Sequence, residues 1–126
     1  MEVYLPLAAQ GLVWVATEAG RLVGFACSEV FEGELHLWEL AVRREAQGRG
    51  AGRALIAAVA REARGRGLPV TLTTFRDIPW NAPFYARCGF VEMTPAELSP
   101  LLKLVVEREA AVGLDVASRC AMRLSP

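Results

Sequence analysis

The amino-acid sequence predicts a single α/β domain with a mixed β-sheet over residues 1–126. The 53% hydrophobic content suffices for a packed core, and a length of 126 residues allows one such core but not two. Apolar runs separated by glycine turns fill residues 12–42, as is typical of successive antiparallel strands. A strand, a glycine-rich loop, an amphipathic helix and another strand follow one another in residues 34–75, which is the order of a β-α-β unit.

Two turns define the first three strands. Residues 12–17 (LVWVAT) and 21–31 (RLVGFACSEVF) flank Glu18-Ala19-Gly20, so they are expected to form a β-hairpin with glycine in its turn. Glu32-Gly33-Glu34 makes a second tight turn, which leads into the apolar segment ELHLWELAV. The three segments are therefore predicted to be antiparallel neighbours.

The β-α-β unit depends on the segment that follows these strands. Residues 51–64 have apolar side chains at helical spacing, namely Leu55, Ile56, Val59, Ala60 and Ala63. Gly65 and Gly67 end this helix. The β-branched run VTLTTF after Pro69 is typical of a buried strand parallel to the one before the helix.

Four further elements are expected downstream. The segment WNAPFYARCGF predicts a short helix of roughly two turns, with Gly89 just past its end and the strand FVEM after it. Thr94-Pro95-Ala96-Glu97 has the pattern of a capping box, and Ser99-Pro100 is a second candidate start for the next helix, which ends at Ala111 or Val112. Residues 119–124 supply a last strand.

The composition excludes several classes of protein. Fourteen basic side chains balance 14 acidic ones, so the chain lacks the excess charge of a nucleic-acid binder. Three distant cysteines without a CxxC pair indicate neither a zinc site nor a disulfide framework, and no metal is expected. Glu2 replaces the basic region of a signal peptide, and no apolar run approaches the ~18 residues of a membrane span. We expect a cytoplasmic protein, and thirteen arginines against one lysine indicate a GC-rich bacterial source.

The segment RREAQGRGAGRAL, residues 43–55, places glycines at the start of the predicted helix. The first amides of a helix have no internal partner, and glycine lets a ligand approach them closely, so this segment predicts an anion pocket. The dinucleotide fingerprint GxGxxG does not match, because Arg53 stands in place of the third glycine. The phosphate loop of nucleotide triphosphatases does not match either, because GK[ST] is absent.

The same segment resembles a signature of the GCN5-related N-acetyltransferases (GNAT). Residues 47–52 (QGRGAG) fit that family's motif Q/R-x-x-G-x-G/A and follow an apolar strand that ends in Leu40-Ala41-Val42. Residues 77–90 (DIPWNAPFYARCGF) are similar to its second signature, and residues 119–122 more weakly resemble its closing strand. The positions that match in the second signature are Asn81, Tyr85, Gly89 and Phe90. The resemblance extends from about residue 12 to the end.

The resemblance implies acetyl-coenzyme A as the acetyl donor. The sheet would be splayed between the LHLWELAV and VTLTTF strands, with helices on both faces, and the pantetheine arm would lie in the gap. The pyrophosphate would lie on the amides at the start of the helix. The implied cofactor-binding residues are Leu40, Ala41, Val42, Gln47, Gly48, Arg49, Gly50, Ala51, Gly52, Arg53 and Asn81. Asn81 also fits the N-cap of the short helix, and both roles are compatible.

The implied reaction is direct attack by a primary amine of a small molecule or peptide. Tyr85 matches the family's acid, which protonates the departing sulfur. Strict alternation places Glu39 in an apolar row with Leu35 and Leu37, where burial would raise its pKa and make it the base. Alternatives are that Glu39 pairs with an arginine or reaches solvent at a β-bulge, and that ordered water is the base. His36 is expected to be structural, and Cys88 lacks the histidine partner of a nucleophile.

Two departures from the family affect the acceptor side. Only MEVYLPLAAQG precedes the hairpin, where the family has a strand and two helices, and a helix separates FVEM from the last strand. The start could lie upstream, the acceptor side could be open, or a second subunit of a homodimer could close it. A noncatalytic acyl-coenzyme A sensor is the main alternative function, and an unrelated α/β domain is a further one.

Overall fold

The computed structural model describes residues 1–8 and 11–126, which divide into two compact units. The first unit spans residues 1–70 and the second spans residues 71–125. The elements of the first unit are β1 (Glu2–Ala8), β2 (Leu12–Glu18), β3 (Arg21–Phe31), β4 (Glu34–Val42) and α1 (Ala51–Gly65). The elements that follow are β5 (Val70–Phe75), α2 (Ala82–Arg87), β6 (Val91–Glu92), α3 (Pro100–Ala111) and β7 (Arg119–Leu124).

The first unit contains four antiparallel strands in the order β1-β2-β3-β4. The predicted hairpins are confirmed, whereas β1 was not predicted, because Pro6 interrupts its short apolar run. The helix α1 packs against one face and buries Leu55, Ile56 and Val59. Gly24 leaves room for both neighbours, because a Cβ there would lie 2.7 Å from the carbonyl oxygen of Ala41 on β4 and 3.3 Å from Leu55 Cδ1 on α1.

The strand β4 contains a β-bulge at Trp38. Cys27 of β3 pairs with Glu39, but the next residue of β3, Ser28, pairs with Leu37, so Trp38 is one extra residue in β4. The bulge shifts the alternation of side chains by one position. Residues before it and residues after it therefore follow opposite phases along the strand.

The turn between β2 and β3 places a residue other than glycine in the left-handed region. Ala19 has φ +50° and Gly20 has φ +77°, which is the pattern of a type I′ hairpin turn. We expect Ala19→Asn to raise the free energy of unfolding by about 0.5–1 kcal/mol, because asparagine tolerates this conformation better than alanine. Thermal unfolding measures the gain. Ala19→Val is the control and should lower the melting temperature, and equal melting temperatures for the two variants would contradict the assignment of the turn.

The second unit builds β5, β7 and β6 side by side in that order. A partly buried polar network holds α3 to these strands. Arg119 of β7 donates to Glu109 of α3 at 3.0 Å and to Thr73 Oγ1 at 3.2 Å, and Thr73 donates to Glu109 at 2.6 Å. The guanidinium carbon of Arg119 also lies 4.6 Å from the centre of the Phe75 ring. Each polar group has a partner, so this network fixes the position of α3.

The helix α3 begins at the second of its two candidate starts. Ser99 is its N-cap and accepts a hydrogen bond from the Leu102 amide at 3.2 Å. The capping box is present, because the Thr94 amide donates to Glu97 at 2.8 Å, but it caps only the 3-10 turn Pro95–Glu97. Pro100 occupies the first helical position, where the missing amide hydrogen costs nothing.

Candidate functional site

The glycine loop before α1 has the conformation of an anion-binding turn. Gly48 and Gly50 have φ +82° and +90°, and apart from the adjacent residues no heavy atom lies within 4 Å of a Cβ built on either residue. No side chain caps α1, and no acidic residue occupies its first turn. The amides at the start of α1 therefore point to open space with the positive end of the helix dipole behind them. Gly52 lies in the first turn of α1.

Hydrogen bonds attach this loop to the start of β3 and the end of β4. Gln47 Nε2 donates to the Val42 carbonyl oxygen at 3.1 Å. Arg43 Nε donates to the Leu22 carbonyl oxygen at 2.8 Å, and the Arg43 amide donates to the Val23 carbonyl at 2.7 Å. The predicted role of Gln47 as a direct ligand stays a prediction, whereas its bond to Val42 holds the loop against β4.

The two arginines of the loop differ in their contacts. Arg49 donates to the Glu45 carbonyl at 3.1 Å and forms an ion pair with Glu18 at 3.2 Å. The side chains of Arg49 and Glu18 are 55% and 31% exposed, so this pair contributes less than about 1 kcal/mol. Arg53 is exposed in the first turn of α1. A bound anion would therefore compete with only a weak ion pair for Arg49.

The end of β4 lies directly before this loop. Leu40, Ala41 and Val42 are partly exposed and pair with Ala26, Phe25 and Gly24 of β3. The Leu35 amide near the start of β4 donates to the Pro69 carbonyl at 2.9 Å, just before β5 begins. The structure thus brings together the predicted site residues of the first unit, 40–42 and 47–53.

The expected burial of Glu39 is wrong. The bulge at Trp38 places Glu39 opposite Cys27, out of phase with Leu35 and Leu37, and its side chain is exposed. Strict alternation fails here because the extra residue shifts every later side chain by one position. The solvent-exposed alternative therefore describes Glu39, and its role as base stays a prediction that burial does not support.

Tyr85 lies on α2 and is only 9% exposed. Its ring contacts Phe84 and Phe90 edge-on, with centroid distances of 5.3 and 5.6 Å. Burial, with a smaller contribution from Cys88, raises the pKa of Tyr85 to about 12. Its hydroxyl therefore keeps its proton throughout the neutral range.

Asn81 is the N-cap residue of α2, as predicted, but its side chain does not cap the helix. The Tyr85 amide donates to the Asn81 backbone carbonyl at 3.0 Å, so the structure brings these two predicted site residues together. Gly89 follows α2 with φ +102°, and the Phe90 amide donates to the Tyr85 carbonyl at 3.0 Å. The partly exposed amide group of Asn81 is thus available for another contact.

The three cysteines differ in exposure, and none forms a disulfide. Cys120 is buried, and burial together with the nearby Glu92 carboxylate raises the pKa of its thiol to about 11. We expect iodoacetamide at pH 8 to label the partly exposed Cys27 and Cys88 first. The thiolate fraction of Cys120 at this pH is about a hundredfold lower than that of an ordinary cysteine. Peptide mass spectrometry follows the three rates. Equal rates at the three sites would show that Cys120 is more accessible than its burial indicates.

The sequence reasoning did not single out an aromatic group beside the bulge. Trp38 is 46% exposed, and its Nε1 donates to Glu29 Oε1 at 3.1 Å. The buried His36 and the partly exposed Phe31 contact its ring. A tryptophan in the middle of an apolar strand is ordinarily assigned to a core, and the extra residue shows only in the pairing of β4 with β3, so no signal in the sequence pointed to this group.

Neither a metal-ligand cluster nor a membrane-spanning helix occurs in the part of the chain that the structure describes. Within residues 1–8 and 11–126, no three His, Cys, Asp or Glu side chains are grouped as a metal ion requires. In the same part of the chain, no helix has both the length and the apolar character needed to cross a membrane.

Comparison with known proteins identifies the fold. A ribosomal-protein-S18-alanine N-acetyltransferase from Escherichia coli superposes with a TM-score of 0.71 at 23% identity, covering 94% of this chain and 71% of that chain. A structure from Desulfovibrio desulfuricans, assigned as a GNAT-family acetyltransferase, gives 0.67 at 26% identity, covering 92% and 69%. A third from Bacillus anthracis, assigned as a streptothricin acetyltransferase in complex with acetyl coenzyme A, gives 0.72 at 16% identity.

This chain covers 64% of the length of the Bacillus anthracis protein, and 94% of this chain is covered in return. The predicted α/β class, with the fold of acyl-coenzyme A N-acyltransferases, is confirmed by these similarities. The profile of the GNAT acetyltransferase domain matches residues 9–92, which is more than half of the chain. The chain therefore belongs to the GNAT acetyltransferase family.

Proposed function

We propose that residues 1–126 form one N-acetyltransferase domain, which transfers an acetyl group from acetyl-coenzyme A to a primary amine. The observation that carries this proposal is the start of α1, where uncapped amides follow two left-handed glycines, Gly48 and Gly50. The similarity of fold to a protein crystallised with acetyl coenzyme A supports the identity of the ligand.

The chain's own groups fit such a donor. The amides of residues 48–53 would hold its pyrophosphate, with Arg49 and Arg53 adding charge at the rim. The backbone of residues 40–42 would pair with the pantetheine arm, and the side-chain amide of Asn81 would contact that arm. The donor supplies an acetyl group activated as a thioester. Gln47 keeps the two binding segments at a fixed separation through its bond to Val42.

Tyr85 and Glu39 would handle the protons of the reaction. Glu39, or a water molecule beside it, accepts a proton from the attacking amine nitrogen as the new C–N bond forms. The Tyr85 hydroxyl donates to the sulfur as the C–S bond breaks, and it is fully protonated at neutral pH because its pKa is about 12. Exchange with solvent restores both groups. Glu39 is exposed, so a proton it accepts passes readily to bulk water.

A titration and an activity assay test the proposal together. Calorimetry should show that acetyl-coenzyme A binds the purified chain, and thiol release should appear with at least one amine in a panel of polyamines, aminoglycosides, amino acids and peptides. Binding without turnover on any amine would overturn the transferase assignment in favour of an acyl-coenzyme A sensor. Absence of binding would overturn both functions.

Glu39→Gln tests the base separately. We expect kcat to fall by at least about tenfold with unchanged affinity for acetyl-coenzyme A, because a neutral amide cannot accept the proton. Glu107→Gln on α3 is the matched control, since it removes the same charge from another exposed position. Equal kcat values for the two variants would show that water, and not Glu39, accepts the proton of the amine.

The proposal also includes a cytoplasmic location and a homodimer. The absence of disulfides among the three cysteines fits a reducing compartment. Sedimentation of the purified chain measures the oligomeric state, and a monomer at all concentrations would exclude the dimer.

A further inference from the structure

We propose that Trp38 and Glu29 form a recognition platform for an acceptor amine with a second positive charge, such as a straight-chain diamine. This inference rests on the proposed acetyl transfer and names the chemical class of its acceptor. The cationic group would lie over the indole face and beside the Glu29 carboxylate, while the other amine reacts.

The platform is held in one orientation by three contacts. Trp38 Nε1 donates to Glu29 Oε1 at 3.1 Å, and the indole meets His36 edge-on at 4.4 Å and Phe31 at 6.1 Å between ring centroids. Even so, Trp38 is 46% exposed. An exposed aromatic ring with a fixed orientation loses little conformational entropy when a ligand lies on it.

The bulge places this ring where an acceptor would arrive. Trp38 is the inserted residue of β4, and Glu39 follows it directly. Glu39 in turn precedes Leu40, where the segment proposed to pair with the pantetheine arm begins. An acetyl group at the end of that arm would therefore lie beside residues 38 and 39 of the strand.

The local charge favours a cation. Residues 22–42 contain four glutamates and neither lysine nor arginine. In the part of the chain that the structure describes, the ion pairs involve Glu18, Glu62, Glu92 and Glu109, so neither Glu29 nor Glu39 is neutralised by one. An ammonium group over an indole gains from the negative face of the ring, and the adjacent carboxylate adds to this attraction.

Selectivity between two matched amines tests the platform. One is a straight-chain diamine, and the other is the alkylamine in which a methyl group replaces its second ammonium group. We expect kcat/KM to favour the diamine by about tenfold or more in the wild type, and Trp38→Leu or Glu29→Gln to remove most of this preference. Trp38→Phe should keep part of it, and Glu107→Gln should keep all of it. Affinity for acetyl-coenzyme A should stay the same in every variant.

A measurement of amine binding in the absence of turnover distinguishes failure of the platform from failure of the proposed acetyl transfer. Calorimetry with coenzyme A present should show tighter binding of the diamine than of the alkylamine, and Trp38→Leu should abolish the difference. Such binding without any thiol release would support the platform and refute the transferase assignment. Turnover with equal kcat/KM for both amines, or a preference that survives Trp38→Leu and Glu29→Gln, would overturn the platform and leave acetyl transfer intact.

Discussion

Gly50→Glu is expected to weaken the binding of coenzyme A by about a hundredfold or more. The new carboxylate would lie at the start of α1, where the helix dipole and the free amides attract it in place of the pyrophosphate. Its charge would also repel the phosphates of the ligand. Titration calorimetry measures the change in affinity.

Gly50→Ala is the control for backbone strain. Gly50 has φ +90°, so any side chain there costs about 1–2 kcal/mol, although no heavy atom beyond the adjacent residues lies within 4 Å of the added Cβ. Both variants should therefore melt at a lower temperature than the wild type, whereas only the glutamate adds charge. If the alanine variant lost as much affinity as the glutamate variant, the loss would come from backbone strain and not from the added charge. Unchanged affinity in the glutamate variant would show that the pyrophosphate site lies elsewhere.

Tyr85→Phe is expected to lower kcat by about a hundredfold while the affinity for acetyl-coenzyme A changes little. Phenylalanine retains the edge-on packing against Phe84 and Phe90 but has no proton for the departing sulfur. Single-turnover kinetics with saturating acetyl-coenzyme A measure the chemical step directly. A variant with the kcat of the wild type would remove Tyr85 from the mechanism.

The raised pKa of Tyr85 gives the same variant a second signature. The folded-state pKa of about 12 exceeds the ordinary value of 10.0, so the contribution to stability is present below pH 10 and is lost as the pH rises towards 12. A pKa difference of about two units corresponds to at most about 3 kcal/mol in the free energy of unfolding. Phenols titrate in about the range from pH 9 to 12. Across this range, denaturant unfolding should show that the free energy of unfolding falls more steeply for the wild type than for Tyr85→Phe. Parallel curves would mean that burial does not perturb this hydroxyl.

Local sequence rules predicted the turns and the glycine loop well. Glycines at positions 20, 33, 48, 50 and 89 all have positive φ, a conformation that few other residues tolerate. The spacing of Leu55, Ile56 and Val59 likewise predicted the buried face of α1. These features depend on neighbours within a few residues, so the chain itself contains the information.

The errors arose where residue type and local spacing do not decide the outcome. The exposure of Glu39 follows from the pairing of β4 with β3, since the extra residue is visible only in the register of both strands. Asn81 has the residue type and position of a helix cap, yet its side chain makes no capping bond. The capping box at Thr94 was predicted correctly, but the pattern does not determine the length of the helical segment that it caps, which is here one 3-10 turn.

The bulge at Trp38 divides β4 into two segments that can be altered separately. Residues 34–37 and 39–42 follow opposite phases, so a substitution that reorients one segment need not disturb the side-chain pattern of the other. Under the proposed roles, changes at residues 36–38 would alter the choice of amine while residues 40–42 keep their pairing with β3. A library confined to those positions would be a practical starting point for engineering new acceptor specificity into this small scaffold.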